Sequence, residues 1–333
     1  RLSPPVKAPD VPTATVILER AGGTRLRMPI FLCQISLLMG IVFSNRREFR
    51  PEIAQAKEDH TMTVKNILVA YSGFSWRLSP LTHALKIADH YDAWVTGIVG
   101  HGQSSMFRMF TGSVPAEIVD VMTKNEASEI SSAKAIFEKA AADYGRADTA
   151  EIIDVLDDGG TTVASFARTF DLIVTAPHTK ERTEAHMSAN PDLIALQSGR
   201  PVLIVPKDYD ASGLSAHVVV AWDGKRAAAR AIGDAMSMLE EKAKVTVLTI
   251  GKDTPAGTDR LIQNLQRHGI VTELLQRPKS GSVGQTILDA TQEINADLIV
   301  MGAYEHSKFA HDVFGGVTTD VSNNAKVPVF MAH

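Results

Sequence analysis

Lys65-Asn66-Ile67-Leu68-Val69-Ala70-Tyr71-Ser72-Gly73 and His217-Val218-Val219-Val220-Ala221-Trp222-Asp223-Gly224 are one pattern met twice in the chain. Each has a polar entry, an uninterrupted apolar run and a turn-forming exit. A short run that is apolar throughout, rather than at alternate positions, reads as a strand covered on both faces, the usual state of parallel sheets. Two further landmarks recur in the same order. Asp171-Leu172-Ile173-Val174 matches Asp297-Leu298-Ile299-Val300, and Arg200-Pro201-Val202-Leu203-Ile204-Val205 matches Val327-Pro328-Val329-Phe330-Met331. From the aspartate to the proline is 30 residues in the first copy and 31 in the second. From Gly73 to Asp171 is 98 residues and from Gly224 to Asp297 is 73, so the first copy carries about 25 extra, placed around Gly102 to Lys124. A fixed order of landmarks at matched spacing is the mark of an internal repeat.

Between the landmarks, short apolar runs alternate with amphipathic stretches. The first copy predicts strands at 66–71, 93–99, 150–155, 171–176 and 201–205, with helices at 78–90, 115–144, 161–169 and 188–198. The second predicts strands at 217–222, 244–250, 270–275, 297–302 and 327–331, with helices at 225–240, 257–268, 283–295 and 316–325. Strands separated by helical stretches of 10–15 residues imply βαβ units and a parallel sheet. The expected fold is therefore α/β, two tandem doubly wound five-stranded parallel sheets, with repeats at 62–207 and 214–333 joined by a linker from Pro206 to Leu214.

The first 61 residues differ. Pro4, Pro5, Pro9 and Pro12 interrupt any period, and the apolar run from Met28 to Phe43 is 16 residues, short of the roughly 20 that a membrane span needs. Met62 directly precedes the first strand, so 1–61 is expected to be an upstream extension without a fold. Taking its nine basic and six acidic residues from totals of 34 and 38 leaves 25 and 32, a net charge of −7 over 62–333. That sign gives no field for nucleic acid or an anionic membrane, and neither is expected as a partner. Cys33 is the single cysteine of the 333 residues, which rules out an intrachain disulfide and a Cys-based metal cluster.

In an open parallel sheet, ligands gather beyond the strand C-termini where the strand order reverses. Two segments of the second copy place chemistry there. Asp223-Gly224 sets a carboxylate and a turn residue after the first strand. Met301-Gly302-Ala303-Tyr304-Glu305-His306 follows the fourth, and Phe314-Gly315-Gly316-Val317-Thr318 opens the last helix. Glycines at a helix start expose backbone N–H groups at the positive end of the dipole, which suits phosphate.

This combination resembles the universal stress protein family. After its fourth strand the family has Gly, two residues, Gly, nine residues, Gly, then Ser or Thr; here those positions are Gly302, Glu305, Gly315 and Gly316, two of which agree. The strand 297–301 and the closing Val327-Pro328-Val329 are also similar, and the resemblance covers both repeats. It implies a Rossmann-like fold of the HUP type, shared with the adenine-nucleotide alpha-hydrolase-like superfamily, and a soluble cytoplasmic stress-response protein that is not an enzyme. It further implies ATP with Mg²⁺ as ligand. Carried over by position, the binding residues are Asp223 near adenine, Ile250 at the end of the second strand, and Met301, Gly302, Gly315, Gly316, Val317 and Thr318 around ribose and phosphates.

The departures have physical weight. Glu305 puts a negative charge where the family has a small residue; two unit charges about 5 Å apart repel by about 3 kcal/mol at an effective dielectric near 20. Gly316 in place of a hydroxyl loses one donor, about 1 kcal/mol. Both predict weakened binding. In the first copy Ser72 replaces the carboxylate, and Ala176-Pro177-His178-Thr179 has neither glycine nor, at Pro177, an amide donor. No nucleotide is expected there.

The plainer readings stand beside these. Asp223 also suits a turn residue, and Gly315-Gly316 close helix packing. His306 and His311 are five apart, on different helix faces, and make a poor metal pair. Met106, Phe107, Met109 and Phe110 read as a packing flap or inter-repeat contact. The alternative function is a nucleotide-free scaffold: the repeats pair as a pseudo-dimer through the edges 201–205 and 327–331, with homodimerisation and unknown protein partners beyond that. An enzyme is weakest, since no nucleophile faces a base.

Overall fold

The computed structural model describes residues 15–19, 25–29, 64–70, 78–101, 115–156, 162–177, 191–210, 216–303 and 316–333. The chain divides into two units, Arg1–His60 and Thr61–His333. In the first, β1 (Thr15–Glu19) pairs antiparallel with β2 (Arg25–Pro29). Where the sequence reading expects no fold in 1–61, this strand pair is present; Thr15-Val16-Ile17-Leu18 is β-branched and apolar, a local preference too short to register against the surrounding prolines.

The second unit holds the duplicated architecture. The first repeat contributes β3 (Asn66–Ala70), α1 (Leu78–Tyr91), β4 (Trp94–His101), α2 (Ala116–Asp143), β5 (Ala150–Leu156), α3 (Val163–Ala167), β6 (Leu172–Thr175), α4 (Pro191–Ser198) and β7 (Val202–Ile204). The second contributes β8 (His217–Ala221), α5 (Arg226–Glu240), β9 (Lys244–Ile250), α6 (Thr258–Arg267), β10 (Thr272–Arg277), α7 (Val283–Glu293), β11 (Leu298–Gly302), α8 (Gly316–Asn324) and β12 (Val329–Ala332). Part of the first copy's excess lies in α2, 28 residues long against 10 in its counterpart α6, while 102–114 of the expected insertion lie outside the described residues. Its C-terminal half anchors it through buried Ala133, Phe137, Ala140 and Ala141.

The expectation of two separate parallel sheets is corrected. The strands form one sheet in the order β10-β9-β8-β11-β12-β7-β6-β3-β4-β5. Pairing within each repeat is parallel, but β12 and β7 pair antiparallel, with Val329 opposite Ile204, Phe330 opposite Leu203 and Met331 opposite Val202. The physical reason is the edge itself. Each closing strand leaves a row of unpaired N–H and C=O groups on an apolar ribbon, and the copy in the same chain satisfies both.

Helices cover both faces. One layer, of α1, α2, α5 and α6, packs on Ile67, Val69, Val218, Val220 and Phe330. The other, of α3, α4, α7 and α8, packs on Leu68, Ile173, Val219, Ile299 and Met331. Alternate residues of each strand thus enter opposite cores, which is why the runs are apolar throughout.

The repeated aspartate has a structural task. The Ala216 N–H donates to Asp297 Oδ2 at 2.9 Å and the His217 N–H to Oδ1 at 3.1 Å. In the first repeat the Lys65 and Asn66 N–H groups both donate to Asp171 Oδ2 at 2.9 Å. Each carboxylate ties the start of its repeat's first strand to the start of the fourth.

Candidate functional site

β8 lies between β9 and β11, and the chain leaves it toward β9 before returning to β11 on its other side. The C-terminal ends of β8 and β11 therefore face the reversal of strand order, where an open α/β sheet presents its crevice. Asp223 follows β8, Ile250 ends β9, Met301 and Gly302 end β11, and Gly316, Val317 and Thr318 open α8. Gly315, Glu305, His306 and His311 lie outside the described residues, as do Ser72, His178 and the Met106–Phe110 cluster.

Asp223 is exposed, and its Oδ1 accepts from the Lys225 N–H at 3.0 Å, a local turn that fixes the entry into α5. Lys225 Nζ stands 4.0 Å from Oδ2, a cation beside the carboxylate that the sequence reading passed over. The turn reading of Asp223 is thus seen directly, and Oδ2 remains turned toward a cation. Gly224 has φ +77°, a left-handed conformation, and an ideal Cβ there would come within 2.8 Å of Pro255 Cβ. Glycine lets the loop after β9 close over the loop after β8.

Gly302 is held by packing. An ideal Cβ on it would overlap the backbone of Ala227 and Ala228, at the first turn of α5. Its lack of a side chain brings the helix against the end of β11, so this glycine needs no ligand to explain it. We expect Gly302→Ala to cost about 1–2 kcal/mol through displacement of α5, read as a lower urea midpoint without nucleotide. Binding losses in such a variant report the shifted helix as well as any missing contact.

The remaining positions divide by burial. Met301 is buried in the lower core and offers its backbone alone. Ile250 and Val317 are half-buried against the same core. Gly316 is exposed, with its amide at the start of a nine-residue helix. Thr318 is 5% exposed, so its hydroxyl sits beneath the surface. Behind β8 and β9, Trp222 Nε1 and Thr249 Oγ1 are buried without a hydrogen-bond partner. The Trp222 backbone N–H donates to the Leu248 carbonyl, which sets the Trp222 and Thr249 side chains next to each other on adjacent strands. Only their polarity inside an apolar run marked them in the sequence. Among the described residues there is no group of three or more His, Cys, Asp or Glu suited to a metal ion, and no helix long and apolar enough to cross a membrane.

The fold is a doubly wound α/β unit, duplicated along the chain, with parallel pairing inside each copy. Residues 215–333 match the sequence model of the universal stress protein family, and this part of the chain is a universal stress protein family domain. Two universal stress proteins of Synechocystis sp. are similar to the chain. One is 26% identical over 170 residues, 48% of this chain and 57% of that protein; the other is 34% identical over 85 residues, 24% of this chain and 53% of that protein. The chain thus spans a little over half the length of each. The crystal structure of a universal stress protein from Archaeoglobus fulgidus shares the fold at a TM-score of 0.61 and 16% identity, over 80% of this chain and 95% of that one. That likeness extends across both repeats.

Proposed function

We propose that the second repeat is an adenine-nucleotide binding module of a stress-response protein and that the first repeat is its nucleotide-free partner. The observation that carries this reading is convergence: Asp223, Ile250, Gly302 and Gly316 come from four separate segments to the C-terminal ends of β8, β9 and β11. Asp223 there meets the base, and the Gly316 and Val317 amides at the start of α8 meet the phosphates, with Mg²⁺ offsetting the charge of Glu305. The chain serves by binding rather than by turnover, in the cytoplasm.

Calorimetry of the full chain with MgATP tests this. Saturable binding is expected, lost in Asp223→Ala and tightened up to about 100-fold in Glu305→Gly, since relief of about 3 kcal/mol corresponds to roughly two decades. No heat at millimolar nucleotide would contradict it. One observation favours the scaffold reading in that event. The β7–β12 pair already joins the repeats as a pseudo-dimer within one chain, which gives the duplication a purpose without a ligand.

A further inference from the structure

We propose that the joint between the two repeats is a proton-operated latch, in which protonation of His83 releases α1 from the end of α5 while the β7–β12 pair stays closed. The proposal is independent of nucleotide.

The joint is built from both repeats. Leu81, Ala84, Leu85 and Ala88 of α1 share one apolar cluster with Ile232, Ala235, Met238 and Leu239 of α5. A polar row runs along it. The Tyr91 O–H donates to Glu241 Oε2 at 2.8 Å, and His90 Nε2 stands 2.8 Å from the same oxygen. Lys86 pairs with Asp210 at 3.8 Å. His83 is 5% exposed and meets the Tyr209 ring edge-on, with centroids 5.7 Å apart. Lys242, directly after α5, is buried beside it.

His83 is therefore the one imidazole shut inside the joint among the described residues, and its charged neighbours are of the wrong sign to receive a proton. Lys86 stands one turn along its own helix and Lys242 comes from the other repeat. Burial first, then the Asp297 carboxylate, raise Tyr209, and burial lowers Lys242 against the opposing charges of Glu241 and Asp297. β3, β6 and α2 face α1 with Ile67, Val69, Leu172, Val174 and Phe137, none of which titrates. Burial first, then Lys86 and Lys242, hold His83 at about 4 instead of the usual 6.5.

The sign follows from that order. The closed joint holds His83 neutral, so its contribution is complete above the open-state value near 6.5 and is lost as pH falls toward 4. Within that window the open form carries up to one more proton, and the opening constant rises by up to about tenfold per pH unit. His90 Nε2 and Glu241 Oε2 also meet across the joint at 2.8 Å, but both side chains are at least 40% exposed and the pair is weak. The β7–β12 pair consists of Val, Leu, Ile, Phe and Met and has nothing to titrate. Opening separates Tyr91 at the end of α1 from Glu241 after α5, so acid changes the surface the protein presents.

Hydrogen exchange on the full chain, corrected for intrinsic rates, tests the latch. Amides of Thr82–Ala88 and Met236–Glu240 are expected to open about 15-fold more in all as pH falls from 6.5 to 5, with β7 and β12 unchanged. His83→Phe is expected to flatten that slope. A slope that persists in His83→Phe, or strands that open in step with the helices, would overturn the proposal. Imidazole titration by NMR in the unaltered chain gives a check that needs no variant: a His83 value well below 6.5 supports the latch, and a value at or above it sinks the idea.

Discussion

Phe330→Ala is expected to lower the free energy of unfolding by about 3–5 kcal/mol, the largest single loss foreseen in the core. Phe330 is 1% exposed and sits in β12, opposite Leu203 of β7, in the one antiparallel pair that joins the repeats. Its ring belongs to the cluster that includes both α1 and α5, so truncation opens a cavity shared by the two halves. Neighbouring side chains come from two repeats and a central strand, which limits collapse into the void. Urea titration followed by circular dichroism measures the effect. A second, separate transition in the variant would show that this contact also couples the unfolding of the repeats, whereas a loss below about 1 kcal/mol would mean the joint contributes little.

Asp297→Ala comes next, at about 2–3 kcal/mol. The carboxylate accepts two N–H groups at the start of β8, and hydrogen bonds to charged acceptors contribute about 1.5–3 kcal/mol each; partial exposure reduces their sum. Alanine leaves two donors at a strand start with no internal acceptor. Asp297→Asn retains one acceptor oxygen and is expected to fall between. The check is again the urea midpoint, and equal stability of Asp297→Ala and the unaltered chain would contradict the assigned role.

These two residues show where the sequence was informative. The ten strands of the second unit were legible to within one or two residues, because burial on both faces demands unbroken apolar runs. The aspartate was visible as a repeated landmark, but its partners were not, since they lie 81 and 80 positions away along the chain. The edges that join the repeats, 201–205 and 327–331, were legible as closing apolar strands, and β7 and β12 do pair there. What the composition of Val202-Leu203-Ile204 does not carry is the antiparallel register that fuses the two sheets into one.

The site divides in the same way. Asp223, Gly302 and Gly316 could be singled out because residue type and position after a strand are sequence properties. The reason for Gly302 was hidden: nothing in Met301-Gly302-Ala303 reveals that Ala227 and Ala228 press on it. Thr318 looked like a donor by its hydroxyl, yet its depth is set by how α8 lies on the sheet. Lys225 was passed over because a lysine after Asp-Gly is unremarkable until its ammonium is placed beside the carboxylate. His83 carried no motif at all, and its burial, with Lys86 and then Lys242 beside it, comes only with the fold.

The nucleotide proposed for the second repeat would lie at the C-terminal ends of β8 and β11. Backbone hydrogen exchange of the full chain with and without saturating MgATP at neutral pH tests it most directly. The account predicts protection confined to the amides around Asp223–Arg226, Met301–Ala303 and Gly316–Thr318. Protection that is absent, or that falls on the first repeat instead, would contradict it.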